Sequence, residues 1–435
     1  GTTVEAATRT LDSVDKVIDG PQNIITETFA AGVFVGLKKF ETATDTPGIQ
    51  SVGTVSFTTA GEILSGSTIE FVFANYVGTL QAGWRFPGTP TIAFTAPGAT
   101  VTGTTSFNTG DRKLTLTTGG GAANPIPMAT ATVFTISATH SPSGITGAGN
   151  VGVTSKDASG GITDGQTNFL TDVMAVGALS GVLSFDSGTD TPGVTSTSTI
   201  SFSTKGEVLA GGRIVIVMPD VSDATTAKPD QEWRAGIGTT AASFTSLSAG
   251  TPPSGTVVFS GALRTQASTF TTTTSGNPIG DGTADIAVVF TISNVKTPSS
   301  ITAATTTDCK ISTKDSRDVL IDGPQDLTTD QIVAGDMTNH GVVGGITFVP
   351  AVDTPGVIST VTLSFKTTGE ILAGFLDLEE AADLARKEKE AAAAEAAEAK
   401  KAAAAEAPAE EAPAEEAPAE AAAEEAPAEA AAEEA

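Results

Sequence analysis

The sequence predicts an all-β protein of tandem β-sandwich repeats, followed by an Ala/Glu-rich helix and a disordered Glu/Pro/Ala tail. Three observations predict it. Thr, Val, Ile and Phe are abundant in the first 374 residues and suit a pleated, half-buried backbone, while Gly, Pro and Asp punctuate it with turns. A set of landmarks recurs three times at constant internal offsets. The composition then switches: of a formal charge of −27, residues 375–435 carry −14, from 19 Asp+Glu against 5 Lys+Arg.

The landmarks define the repeat. DTPG occurs at residues 45–48, 190–193 and 353–356, and each copy is followed by a strand-like SF segment and GE[IV]L. Phe57, Phe202 and Phe365 fall 12 residues after the Asp, and Gly61, Gly206 and Gly369 fall 16 after it, so nothing has been inserted between them. A closing block also recurs: LDSVDKVIDGPQN from Leu11, KDASGGITDGQTN from Lys156 and KDSRDVLIDGPQD from Lys314. DTPG and the Asp-Gly of the closing block both read as turns, since Pro presets φ and Gly accepts positive φ.

Taken in chain order, residues 1–30 read as the end of a preceding partial repeat. Residues 31–177 and 178–340 are complete β-sandwich repeats. Each runs from a short strand through DTPG, the SF strand, a hydrophobic strand, a variable Thr/Gly-rich middle and FTIS to the closing block. Units of this size bury a core without staples, which suits a chain with one Cys. Residues 341–374 open a third repeat that is truncated. Two expectations follow from these incomplete ends: the chain is a piece of a longer array or an imperfect gene product, or its partial units pair with neighbouring molecules by head-to-tail strand addition. Residues 375–407, rich in Ala, Glu and Lys, read as a helix with too thin an apolar face for a coiled coil. Residues 408–435 place Pro among ten Glu with no Lys or Arg and read as an extended, disordered acidic spacer.

Several activities are excluded or disfavoured. The acidic charge disfavours nucleic acid, whose phosphates need clustered Lys and Arg. No apolar run reaches the ~18 residues of a membrane span. With Cys309, His140 and His340 as the whole Cys/His complement, no zinc-site spacing exists. GAGNVG at residues 147–152 matches the dinucleotide fingerprint in letters, but a strand-like VTSKD follows where a helix is required. His140, in THSPSG, stands where the next unit has Lys296, which predicts an exposed loop rather than a catalytic base; no nucleophile elbow or HExxH is present, so no enzyme is predicted.

Two constellations remain as candidate sites. Asp315, Asp318, Asp322 and Asp326 recur at intervals of three to four residues, and Asp12, Asp15 and Asp19 repeat the pattern. Carboxylates converging at a repeat junction can supply the six to eight oxygens calcium needs, though in the middle copy Gly replaces one of them; the plainer reading is that they terminate turns. Trp84–Arg85 and Trp233–Arg234 recur in the variable middle, where an aromatic beside Arg can stack on a glycan or plug a core.

The order SF, GE[IV]LAG, hydrophobic strand, FTIS and late Asp-Gly resembles the Thr/Gly-rich, Ig-like tandem repeats of large secreted or cell-surface proteins of bacteria and single-celled algae. The resemblance spans residues 1–374. It implies an extracellular or surface location, an adhesive or structural role, and no catalytic residue. None of the nine Asn lies in an N-x-[ST] sequon, which disfavours the glycosylated eukaryotic version. The reading is a non-enzymatic structural repeat protein of a cell surface, matrix or filament that associates with copies of itself. Its alternative is an adhesive or carbohydrate-binding module.

Overall fold

Alternation along the strands sets the core. In the SF segments Val55, Phe57, Ile200 and Phe202 point inward and are buried, while Thr54, Ser56, Thr199 and Ser201 between them are half-buried. The computed structural model describes residues 5–25, 27, 29–74, 83–119, 124–219, 232–260, 268–336, 347–364 and 366–368. They are all-β, with no helix among them, and the expected helix at 375–407 and tail at 408–435 lie outside the described residues.

The chain opens with the hairpin β1 (Glu5–Leu11) and β2 (Val17–Ile25). The first large sheet uses β3 (Val35–Thr42), β4 (Gln50–Thr58), β5 (Thr68–Phe73), β6 (Ile92–Ala96), β7 (Thr102–Asn108), β8 (Lys113–Gly119), β9 (Ala131–His140), β10 (Asn150–Lys156) and β11 (Ile162–Thr171). Their order is β6-β9-β4-β3-β11-β10-β5-β8-β7. The second uses β12 (Ser180–Ser187), β13 (Thr195–Thr204), β14 (Arg213–Val217), β15 (Arg234–Ala235), β16 (Ala241–Leu247), β17 (Ser254–Ser260), β18 (Thr269–Ser275), β19 (Ile286–Lys296), β20 (Lys310–Lys314), β21 (Leu320–Asp326) and β22 (Thr328–Thr329). Here the order is β21-β20-β14-β18-β17-β16-β19-β13-β12-β22, with β15 on β19. A last hairpin pairs β23 (Thr347–Pro350) with β24 (Val361–Ser364).

Two separate facing sheets were expected, whereas each repeat is one continuous sheet rolled on itself. The cause is the parallel pairing of its first strand with its end: β3 lies beside β11 (Lys39 opposite Leu170), and β12 beside β22 (Phe185 opposite Thr329). The rolled halves still enclose a sandwich-like core. In repeat 1, Phe57 on β4 meets Phe169 on β11 at 5.7 Å, and Phe71 on β5 meets Phe134 on β9 at 6.1 Å. Phe185, Phe202, Phe270 and Phe290 fill repeat 2 the same way, each at most 2% exposed. Full burial of such a side chain is worth about 1.5–3 kcal/mol, so several per repeat replace the missing disulfides.

Candidate functional site

The closing block folds identically three times. Its first Asp accepts, through Oδ1, the backbone N–H groups two and four residues on: Asp12 from Val14 and Lys16 (3.0 and 2.8 Å), Asp157 from Ser159 and Gly161 (2.9 and 2.7 Å), and Asp315 from Arg317 and Val319 (2.9 and 3.0 Å). Three residues on, the backbone is left-handed, at Asp15 (φ 60°), Gly160 (87°) and Asp318 (68°). Asp and Gly tolerate that conformation better than most residues, which explains the substitution in the middle copy. The later Asp reaches across the hairpin: Asp19 accepts from Thr10 Oγ1 (3.1 Å), Asp164 from Ser155 Oγ (2.9 Å) and Asp322 from Thr313 Oγ1 (3.0 Å).

These bonds bear on the calcium expectation. The Asp315 carboxylate also binds the Arg317 guanidinium at 2.6 Å; Asp318 pairs with Arg213 (3.0 Å) and Lys314 (3.3 Å), and Asp326 pairs with Lys310. Buried Asp322 takes a further hydrogen bond from Thr204 Oγ1 at 2.7 Å, and its burial pushes the carboxyl above the ordinary range. Asp315, Asp318, Asp322 and Asp326 thus each have a protein partner, and among the described residues no three His, Cys, Asp or Glu side chains come together to hold a metal ion.

The DTPG turn forms one tip of each repeat. Asp45 accepts from Thr42 Oγ1, and Asp190 from Ser187 Oγ, both at 2.9 Å. A hydroxyl after the FTIS strand clamps the turn from the other side: Ser141 Oγ donates to Thr46 O at 2.6 Å, and Thr297 Oγ1 to Thr191 O at 2.6 Å. The tips of the two repeats are therefore built alike.

The tip of repeat 1 is docked onto repeat 2. Glu207 N–H donates to Gly48 O (3.0 Å), Gln50 N–H to Gly282 O (2.9 Å), Ile145 N–H to Leu320 O (2.9 Å), and Ser143 Oγ to Asp315 Oδ2 (3.2 Å). At the centre Arg85 ion-pairs with Glu207, and its guanidinium lies 3.0 Å from His140 Nδ1. His140 Nε2 faces Asp281 O at 3.1 Å and Glu207 Oε2 at 3.4 Å. Two glycines make the contact close enough. A Cβ on Gly48 (φ +66°) would stand 2.7 Å from Glu207 N, and one on Gly282 (φ +75°) would run into Gly48 O and His140.

This corrects the expected placement of His140, which is 2% exposed at the junction and not in an open loop. It ends strand β9, backbone-paired with Arg85, and its ring faces Glu207 and Asp281 of repeat 2. Burial first, then the Arg85 guanidinium, hold its imidazole below the ordinary value against the opposing pull of Glu207 and the Ser141 and Asp281 carbonyls.

The repeated Trp-Arg pairs divide their labour. Trp84 and Trp233, 3% and 1% exposed, plug the cores edge-on against Phe40 (5.1 Å) and Phe185 (5.2 Å), so a glycan reaching either indole would require the sandwich to open. Arg85 leaves that core for the junction, and Arg234 lies at the corresponding tip of repeat 2, where β15 pairs with β19. Cys309 is fully buried, 3.9 Å from Met218 Sδ, and burial pushes its thiol up to about 12. GAGNVG leads into strand β10 instead of a helix. His340 lies outside the described residues.

No protein-family model and no curated protein sequence matches the chain. Among solved structures, a type II cohesin dyad from the ScaA scaffoldin of Acetivibrio cellulolyticus is similar at 10% identity and TM-score 0.19, over 68% of this chain and 98% of that one. The C-terminal domain of the Streptococcus pyogenes antigen I/II-family protein AspA matches at 8% identity and TM-score 0.22, over 74% and 97%. The collagen binding domain of Erysipelothrix rhusiopathiae surface protein RspB matches at 10% identity and TM-score 0.19, over 69% and 95%. Likeness at this level transfers no function to the chain.

Proposed function

We propose that the chain is a non-enzymatic structural protein of a cell surface, extracellular matrix or filament, in which β-sandwich repeats are locked tip to base as a stiff spacer. The observation that carries this reading is the junction itself. Backbone hydrogen bonds, glycine contacts and a cluster of half-buried Arg85 with buried Glu207 and His140 join the repeats. The tip is built twice from the same motif, which suits a unit made to be stacked. Surface location, self-association and a spacer role for the acidic tail belong to the same reading, supported by the resemblance of residues 1–374 to secreted repeat arrays. No helix among the described residues is long and apolar enough to cross a membrane. The test is the relative motion of the repeats: nuclear spin relaxation on residues 31–340 within the full chain should give one tumbling time for both. Two independent tumbling times would remove the stiff-spacer reading.

A further inference from the structure

The bases of the two repeats differ in one loop, and that loop supplies part of the junction. Both repeats pair an Asn-Pro-Ile segment with GE[IV]L, Ile126 opposite Ile63 and Ile279 opposite Val208. Both resume the next strand in the same register, with Ala131 opposite Thr58 and Ala287 opposite Ser203. Between these fixed points repeat 1 has four residues, 127–130, and repeat 2 has seven, 280–286.

The short loop folds back on its own repeat. Thr59 N–H donates to Thr130 O (3.3 Å), Thr59 Oγ1 to Pro127 O (2.7 Å), and Ala129 N–H to Thr59 O (3.1 Å). In repeat 2 the corresponding Thr204 turns away, its hydroxyl donating to Asp322 Oδ2 (2.7 Å). The longer loop reaches repeat 1 instead: Gly282 O accepts from Gln50 N–H (2.9 Å), and Asp281 O lies 3.1 Å from His140 Nε2. Left-handed backbone at Gly280 and Gly282 (φ 74° and 75°) turns it that way. Asp281 Oδ1 braces it by accepting from Thr283 N–H (2.9 Å) and Thr283 Oγ1 (2.5 Å).

The tips differ where this loop touches them. His140 pairs with Arg85 in repeat 1, and at the same place in repeat 2 Lys296 pairs with Arg234. With its proton on Nε2, the His140 imidazole donates to Asp281 O and accepts the Arg85 guanidinium at Nδ1, 3.0 Å away. A lysine only donates. At position 140 it would leave the guanidinium without that acceptor and set a second cation beside it. The base offers one buried carboxylate there, Glu207, already paired with Arg85, and an enclosed cation without its own partner is costly.

We infer that residues 280–286 form a selectivity loop, which makes the base of repeat 2 a seat for tips carrying Arg and His and bars tips carrying Arg and Lys, such as that of repeat 2 itself. The four-residue loop of repeat 1 supplies neither carbonyl, so the two repeats are not interchangeable and follow one another in one order. Discrimination combines an attraction with a penalty: two carbonyls meet the right tip, and an unmatched charge meets the wrong one. The inference rests on the stiff-spacer reading and names the kind of unit its junction accepts.

Nuclear spin relaxation on the full chain tests it in three variants. Deleting residues 280–282 leaves a loop of four residues, the length found in repeat 1, and should give the repeats separate tumbling times. His140→Lys gives repeat 1 the tip residue of repeat 2 and should do the same. His140→Gln retains both a donor and an acceptor and should keep one tumbling time. Unchanged amide shifts in β14 and β18 establish that repeat 2 is folded; should the deletion unfold it, the two His140 variants decide alone. One tumbling time retained in His140→Lys or in the folded deletion variant, or separate times in His140→Gln, would overturn the inference. Two times in the unmodified chain would remove the spacer reading with it. One time in the unmodified chain and in all three variants would refute the selectivity alone and leave the spacer reading standing.

Discussion

Glu207→Gln isolates the energy of the junction, because its ion-pair partner Arg85 belongs to the other repeat. The substitution keeps the volume and removes the charge. Its side chain is 9% exposed and that of Arg85 19%, so the guanidinium is left beside His140 with little water to screen it. Removing one partner of a buried pair costs about 3–5 kcal/mol, and the partial exposure of Arg85 places the expectation near the lower bound, about 3 kcal/mol. Denaturant titration of the full chain measures it as a drop in midpoint at constant slope. A double-mutant cycle with Arg85→Met separates the pair from its surroundings: Glu207→Gln should cost at least about 2 kcal/mol less in that background. The apolar pair Arg85→Met with Glu207→Leu should recover most of the loss, since apolar replacements of a buried ion pair are often neutral. A single-mutant cost below about 1 kcal/mol with no coupling would mean that water screens the pair like any surface salt bridge and that the junction is held by its backbone contacts.

Acid should loosen the same junction. His140 is held below its ordinary value when folded and returns to it, near 6.5, when unfolded, so the unfolded chain binds the proton first. The junction contribution is constant above that pH and falls as pH drops through it; the acid slope of the unfolding free energy should lose the share that His140 contributes in His140→Asn, leaving that of the shifted carboxyls such as Asp322, and an unchanged slope would assign it elsewhere. Trp84→Ala and Trp233→Ala should each cost about 3–5 kcal/mol as core truncations, and glycan-array binding lost at unchanged stability would instead make the indoles a ligand site. Chelator or added calcium should leave the melting curve in place, because the oxygens of Asp315 and Asp322 already hold protein donors; a clear rise with calcium would restore the metal reading. Gly282→Ala should disrupt tip-to-base docking by driving a methyl group into Gly48 O, seen as separate tumbling of the repeats, and retained joint tumbling would show that the loop yields.

The strands and their inward faces were legible from the one-dimensional pattern, because alternation and turn chemistry are local. Val55 and Phe57, or Ile200 and Phe202, can be assigned to a core from their own segments alone. The aspartates show where local reading stops. Their spacing suits both a cation site and a hairpin, and the backbone decides between uses of each side chain: Asp315 takes two N–H groups of its own turn, and position 318 needs a left-handed residue. The role of Arg85 and His140 was beyond any local pattern. Arg85, His140 and Glu207 lie 55 and 67 residues apart in sequence and meet only because one repeat's tip rests on the next repeat's base. By itself, then, the sequence determined an all-β fold and which side chains fill its cores, since burial is encoded by period. How the units join, and which charged groups lose their water in joining, was decided by the tertiary structure, because desolvation depends on surfaces that the chain brings together only once it is folded.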